Sequence, residues 1–315
     1  MTANLQNPIF TDETKAREWL EARVWPNGPV CPHCGATVRD VTALQGKKHR
    51  PGLYQCSQCR EQFTVTVKTV FERSKVPLSK WLAALFMMTA SKKGVSAHQI
   101  HRSLGISYKT AWFLCHRLRE AMRTGGLAPM GGSGKTVEID ETLMGRVEGA
   151  PRTVRWGQSH NWRNHVLTLV ERGGTARSFH VSDATMASLL PVIRANINRE
   201  TAVITDELNS YKRLGDEFTS HEAVNHSAKE YVRGTVTTNT VEGYFSIFKR
   251  GMRGTYQHCS EKHLHRYLAE FDFRYSNRAS RGVNDLMRAE IAAAGIKGKR
   301  LTYRRPHKVT QSREH

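Results

Sequence analysis

Two short cysteine knuckles constrain this chain more than any other feature. Cys31-Pro-His-Cys34 and Cys56-Ser-Gln-Cys59 stand 21 residues apart. Each pair can set two thiolates on one side of a tight turn, and two such turns complete a tetrahedral zinc site. Gly35 directly after Cys34 and Arg60 directly after Cys59 suit those turns. A four-thiolate set leaves no open coordination position. The expectation is therefore one structural Zn2+ on Cys31, Cys34, Cys56 and Cys59, serving folding and docking rather than catalysis. A redox CxxC pair is the competing reading of the same spacing. Cys115 and Cys259 stand alone and read as plain core or surface thiols. The first residues show no basic start followed by an apolar stretch, so a secreted disulfide framework is not expected.

Charge is the next constraint. Lys and Arg number 48 against 28 Asp and Glu, a formal net charge of +20. A chain this basic calls for a polyanionic partner, most often nucleic acid. An anionic membrane surface would also satisfy the charge, but no basic amphipathic helix or lipidation signal supports it. The longest apolar run, Trp81 to Met88, is far below the roughly 18 residues of a membrane span. The expected location is the cytoplasm, in association with the nucleoid. At 315 residues, 39% hydrophobic and 24% charged, the chain reads as an ordinary globular protein of two or three domains.

Patterning divides the chain. A helical pattern runs from Asp12 to Arg23, and the knuckles follow. The segment QFTVTVKTVFE alternates Phe63, Val65 and Val67 against Thr64, Thr66 and Lys68, the two-residue period of a strand. Helices are predicted from Leu78 to Ser91, Ser96 to Ser103 and Tyr108 to Met122, with Ser107 placed to cap the last. Residues 125–134 hold five glycines and a proline and mark a boundary. Strands follow over Thr136–Glu141, Asn164–Glu171 and Arg177–Val181, then a helix over Ala184–Asn198 and a short strand over Ala202–Thr205 that ends at Asp206. Helices over Thr240–Arg253 and Glu261–Tyr275 close the pattern. Strands interleaved with helices suggest a mixed sheet with helices packed on it, an α/β or α+β core. The expected organisation is 1–75 for the N-terminal helix and zinc ribbon and 76–124 for a helical region. A Gly-rich linker at 125–135, a catalytic domain at 136–290 and a basic tail at 291–315 complete it.

Two constellations carry function. The helices around Gly105 resemble a helix-turn-helix. Tyr108, Lys109, Arg117 and Arg119 surround the apolar stripe of the second helix as a recognition helix requires, though any helical hairpin with a Gly turn looks similar. The carboxylates are sharper. In TVEID, Val137 and Ile139 point to one face of the strand and Glu138 and Asp140 to the other. In TAVITDE, an apolar strand delivers Asp206 at its end. Glu242 follows after 35 intervening residues, on a helix where Asn239, Glu242, Ser246, Lys249 and Arg253 form one polar stripe. Mg2+ prefers hard oxygen ligands, and paired ions can activate an attacking oxygen and stabilise a leaving one in phosphodiester chemistry. Asp140, Asp206 and Glu242 would supply such a clamp for Mg2+ or Mn2+, with Lys249 and Arg253 beside it on the DNA backbone. An ordinary reading competes: Asn239-x-x-Glu242 also matches a helix capping box. Asp183 reads as a helix N-cap, and His258, His263 and His265 as nucleic-acid contacts or surface.

The blocks CPHC…CSQC, VEIDET, ITDELNSY and NTVEGYFSIFKRGMRGTYQHCSEKHLHRYLAEFDFRYSNR together resemble the zinc-ribbon DDE transposases of bacterial insertion sequences, the ISXO-type group, over roughly residues 15 to 290. The resemblance implies an RNase H-like α/β catalytic domain and a divalent metal. It also implies cleavage and strand transfer of double-stranded DNA at element ends and target, by a homo-oligomer assembled on DNA. By motif, Asp140 is the first catalytic aspartate and Asp206 the second. The group places Asn or Glu at the third position, and this chain offers both Asn239 and Glu242. The 35-residue spacing and Lys249 seven residues on favour Glu242. Two rivals remain: a DNA-binding regulator derived from a transposase, and an RNase H-like nuclease without strand transfer.

Overall fold

The computed structural model describes residues 6–151, 153, 162–206, 211, 214–224 and 232–302. The part of the expected basic tail 291–315 beyond residue 302 and most of the segment just after Asp206 lie outside these residues, while the start of that tail is packed, with Ile296 fully buried.

Helix α1 (Glu13–Val24) starts where the side chain of Asp12 accepts from the Thr14 and Lys15 amides. The knuckles then sit on a small antiparallel sheet, β1 (Val41–Ala43), β2 (Tyr54–Cys56) and β3 (Gln62–Phe63), in the order β1-β2-β3. Trp25 meets Tyr54 and Phe63 edge-on, with ring centroids 5.3 and 5.9 Å apart. The strand expected through Val67 stops at Phe63. Beyond it the chain turns, with Lys68 at φ 56°, and Val65, Val70 and Phe71 drop into the core of the neighbouring helices. The alternation reflected two different cores in succession rather than one pleated face.

That helical core is built from α1, α2 (Leu78–Ala90), α3 (Ala97–Leu104) and α4 (Tyr108–Met122). Ser96 and Ser107 cap α3 and α4, and Gly105 closes α3 in the left-handed conformation its short turn needs. A further helix, α8 (Asp285–Ala294), returns from the far end of the chain and buries Ala292 and Ala293 in the same core.

The second half is a five-stranded mixed sheet of β4 (Thr136–Met144), β5 (Asn164–Glu171), β6 (Ala176–Val181), β7 (Ala202–Asp206) and β8 (Ser220–Val224), ordered β6-β5-β4-β7-β8. β5 runs antiparallel to β4 and β6, while β7 is parallel to β4 and β8. Helix α5 (Met186–Asn196) joins β6 to β7 and shares a core with Val137, Ile139, Leu167 and Leu169 on one face. Helices α6 (Asn239–Gly251) and α7 (Glu261–Ser276) share the other with Val166 and Val170. The architecture is thus a zinc-ribbon-like N-terminus, a helical region and a mixed α/β domain.

The two halves meet along α4 and α7, and here the sequence reading needs correction. Arg119 is buried, 2.6 Å from the wholly buried Glu270, which also pairs with Arg274. Arg117 is buried too; it donates to the Glu72 carbonyl at 2.7 Å and lies over the Trp81 ring. Neither guanidinium is presented to solvent, as a recognition helix would require. On α4 only the first turn, with Tyr108 and Lys109, presents these residue types to solvent. His263 likewise turns inward: its ring sits 4.7 Å from that of the buried His116, and its Nδ1 lies 2.8 Å from Arg266.

Candidate active site

Val137 and Ile139 anchor β4 in the α5-side core, so alternation turns Glu138 and Asp140 to the α6 side. β4 and β7 are neighbouring parallel strands with Glu138 opposite Ile204. That pairing is the last between the two strands, and Asp140 and Asp206 each lie two residues beyond it, where Asp206 helps to raise the Asp140 pKa. Glu242 approaches from α6, whose buried face of Val241, Tyr244, Phe245 and Phe248 clamps the helix to the sheet and leaves Glu242 exposed. The three acids therefore converge from two strands and a helix.

Electrostatics reports the same convergence. The Asp140 carboxyl is pushed up to about 8, first by burial and then by Glu141 and Asp206, with Glu242 adding to the effect. Glu141 is pushed up to about 7, mainly by burial, although the Tyr211 hydroxyl donates to it. Burial and crowding by like charge make these carboxyls resist ionisation, and all-oxygen donors are the type a hard divalent ion prefers, although among the described residues only the four cysteines have ligand atoms close enough together to share one ion.

The other sequence-predicted groups behave differently from one another. Asn239 is exposed and opens α6, but it does not cap it. Thr238 holds the N-cap position without a side-chain cap bond, and its hydroxyl instead donates to Glu242 Oε1 at 3.0 Å. The capping-box reading of Asn239 and Glu242 fails on this geometry. Lys249 is half-buried, its ammonium 5.5 Å from the Phe245 ring centroid. Arg253 is exposed but lies past the end of α6, in the π-helical turn Met252–Tyr256, so it leaves the helix stripe. Asp183 is a turn residue, its carboxylate accepting from the Thr185 amide at 2.9 Å, while Thr185 is the N-cap of α5.

At the N-terminus the four Sγ atoms of Cys31, Cys34, Cys56 and Cys59 lie within 4.8 Å of one another. The Cys31–Cys59 and Cys34–Cys56 separations are both 3.6 Å, close to the roughly 3.8 Å edge of a tetrahedron with 2.3 Å Zn–S bonds. Burial opposes ionisation of Cys31, yet the backbone amides of Cys34 and His33 and the neighbouring thiols pull it down to about 7. A set of four thiols so placed supports structural zinc.

Comparison with known proteins gives the family. The ISXO2-like transposase domain matches residues 131–276, and the transposase zinc-ribbon domain matches residues 11–62. An uncharacterized protein in transposable element ISH50 of Halobacterium salinarum is 30% identical over 279 residues, covering 84% of this chain and 91% of that protein. An uncharacterized transposase-like protein of Haemophilus influenzae is 28% identical over 97 residues, 31% of this chain and 77% of that protein. The chain belongs to the ISXO2-like transposases.

In this ISXO2-like transposase several residues of the site escaped the sequence reading. Glu141 and Tyr211 form a hydrogen-bonded pair beside Asp140 and Asp206. Glu141 follows Asp140 directly and would sit on the other face of an ideal strand, so alternation hides it. Arg172, in the turn after β5, donates to Glu138 Oε1 at 2.7 Å. The signal available was Glu138 itself, a carboxylate on the same face as Asp140 with no solvent reason to be there. Among the described residues no helix is long and apolar enough to cross a membrane.

Proposed function

We propose that this chain binds the terminal inverted repeats of its element and cuts and joins DNA at Asp140, Asp206 and Glu242, with Mg2+ or Mn2+ held by those three acids. The observation that carries the reading is the meeting of three sequence-distant carboxylates at neighbouring strand positions and one helix turn, with Asp140 electrostatically coupled to both others. A divalent cation bound there supplies Lewis-acid polarisation of the phosphodiester and activation of the attacking oxygen. Water attacks the end phosphate in line and a 3′-hydroxyl leaves; that hydroxyl then attacks a target phosphate and displaces its 3′-oxygen. The protein's own part is placement. Asp140 and Asp206 are fixed by the sheet, and Glu242 and Asn239 sit on the open side where DNA can reach them. Lys249 and Arg253 supply positive charge along the DNA backbone.

End recognition falls to the zinc ribbon and the α3–α4 hairpin, through the exposed first turn of α4 at Tyr108 and Lys109. The helical region of residues 76–124 precedes the catalytic domain at 136–290, and α8, which straddles the end of that span, packs back on the helical region. A homo-oligomer on DNA, in the cytoplasm at the nucleoid, completes the reading.

The test is Glu242→Gln. A metal ligand does not tolerate loss of the charge, so cleavage of end DNA in Mg2+ should fall by orders of magnitude while thermal melting and DNA binding stay close to wild type. Near-wild-type cleavage would move the third role to Asn239 or another acid. Absent cleavage by the unmodified protein, with specific end binding retained, would favour a transposase-derived regulator.

A further inference from the structure

Helix α6 carries Glu242 but has no side-chain cap of its own. Its first-turn amides are nevertheless all satisfied. The Asn239 amide donates to Thr237 Oγ1 at 3.1 Å and that of Glu242 to the Thr238 carbonyl at 3.0 Å. The two between them turn to a single residue of β4. The Thr240 and Val241 amides donate to Glu138 Oε2 at 2.8 and 2.9 Å. The Thr240 hydroxyl donates to Glu138 Oε1 at 2.8 Å, and Arg172 Nε donates to the same oxygen at 2.7 Å. Arg172 then reaches past Glu138, donating to the carbonyls of Thr235 and Thr237, both at 2.8 Å. Glu138 is fully buried, with no exposed surface.

A buried carboxylate is costly unless it is paired and hydrogen-bonded, and this one is both. Its negative charge also meets the positive end of the α6 dipole. Thr238 stands at the N-cap, where its hydroxyl could have capped α6 at less cost, yet it is turned to Glu242 instead. What the longer arrangement adds is location. Glu138 lies two residues before Asp140 on the same face of the same strand, and its amide partners lie one and two residues before Glu242. The path from Asp140 to Glu242 thus runs through one strand step, two charge-assisted hydrogen bonds and one helix step. Arg172 braces the segment that leads into α6, so the helix can neither rotate nor slide along β4 without breaking the set.

We propose that Glu138, braced by Arg172, is a positioning residue that fixes the distance between Asp140 and Glu242 and so sets the affinity of the acidic site for its divalent cation. The proposal rests on the three-acid reading above. It assigns Glu138 no contact with DNA or metal.

Glu138→Gln removes the charge and turns one of the two acceptor oxygens into a donor facing amides or Arg172. Residues that orient metal ligands typically contribute about 10- to 100-fold to metal affinity or activity. Folded Glu138→Gln should need at least about tenfold more Mn2+ for half-saturation, read directly by Mn2+ electron paramagnetic resonance on the full chain without DNA. Cleavage in Mg2+ should fall in step and recover partly at high metal concentration, with end-DNA binding unchanged. Hydrogen exchange at the Thr240 and Val241 amides should accelerate. A matched control exists at Glu13, whose carboxylate accepts from the Leu78 and Ser79 amides at the start of α2, at 2.7 and 3.0 Å. Glu13→Gln strips a similar cap from a helix that carries none of the three acids, and Mn2+ affinity should not move. If Glu138→Gln does not fold, Arg172→Gln keeps the two amide bonds and removes only the brace, and should shift Mn2+ affinity in the same direction by less.

Mn2+ affinity within twofold of wild type in folded Glu138→Gln or Arg172→Gln overturns the positioning role, as does an equal loss in Glu13→Gln. Asp140→Asn separates the two claims. If it abolishes cleavage while Glu138→Gln cleaves normally, the three-acid reading stands and the positioning role falls. If Asp140→Asn cleaves normally, both fall.

Discussion

Asp140→Asn should make the protein more stable, not less, wherever the native aspartate is being forced to ionise. The Asp140 carboxyl is pushed from 3.8 up to about 8, first by burial and then by its acidic neighbours. The folded state therefore binds more protons than the unfolded one between those values. By linkage, stability falls as pH rises from about 4 through about 8 and levels off above that. At 1.36 kcal/mol per tenfold, the whole displacement is an upper bound of roughly 6 kcal/mol. Asp140 is only partly covered, so solvent and local relaxation leave a working figure of about 1–2 kcal/mol. For a domain of this size that is about 3–6 °C in melting temperature. The assay is thermal melting of zinc-loaded wild type and Asp140→Asn near pH 8 and near pH 5, each without added Mg2+ and with excess Mg2+, and without EDTA, which would strip the ribbon zinc. Without Mg2+ the variant should melt higher near pH 8, and its advantage should shrink near pH 5. With Mg2+ the wild type should gain and the variant should not, because binding to the native state alone stabilises it. A variant that melts below wild type near pH 8 without Mg2+, or an advantage that does not change with pH, would refute the reasoning.

Two further outcomes follow from the geometry. Metal analysis of purified protein should find about one zinc per chain, and Cys31→Ser should lose it and unfold the ribbon; zinc-free protein with the four cysteines oxidised in pairs would reject the structural site. Lys109→Ala should weaken end-DNA binding and lower the salt slope by about one, whereas Arg117→Met should leave that slope unchanged and lower the melting temperature.

Element types were readable where one core decides one period. Helices α2, α4 and α7 and strands β5 and β7 lie within a residue or two of their sequence limits, because each packs a continuous apolar face. The failures came where a segment serves two cores or a partner far along the chain. Val65 and Val67 continue the period of Phe63, yet Val65 belongs to the helical core while Phe63 belongs to the ribbon. Helix α8 was invisible because its buried face is two or three alanines whose partner, α2, lies some 200 residues earlier. β8 escaped because its alternation, Ser220 to Val224, buries fully only Val224.

Charged side chains were the least legible class, for a physical reason. Sequence spacing tells which face of a helix a residue occupies, but a cation on the inner face can be paired just as one on the outer face can be solvated. Arg117 and Arg119 lie on α4 among residues that all proved buried, and Arg119 finds Glu270 151 positions away. Glu138 is the same case in reverse. Its alternation with Val137 and Ile139 put it on the face of Asp140, where a row of acids invites reading each as a metal ligand. The difference between the two is what meets them. Asp140 accepts one bond, from the Glu141 amide at 2.7 Å, and otherwise meets the repelling charges of Glu141, Asp206 and Glu242, while Glu138 faces two amides, a hydroxyl and a guanidinium, all donors. A carboxylate surrounded by like charge awaits a cation from outside, and a carboxylate surrounded by donors is already satisfied. On the proposed reading, two acids two residues apart on one strand would do opposite work: Asp140 would be held open for chemistry, while Glu138 is closed on the first turn of α6.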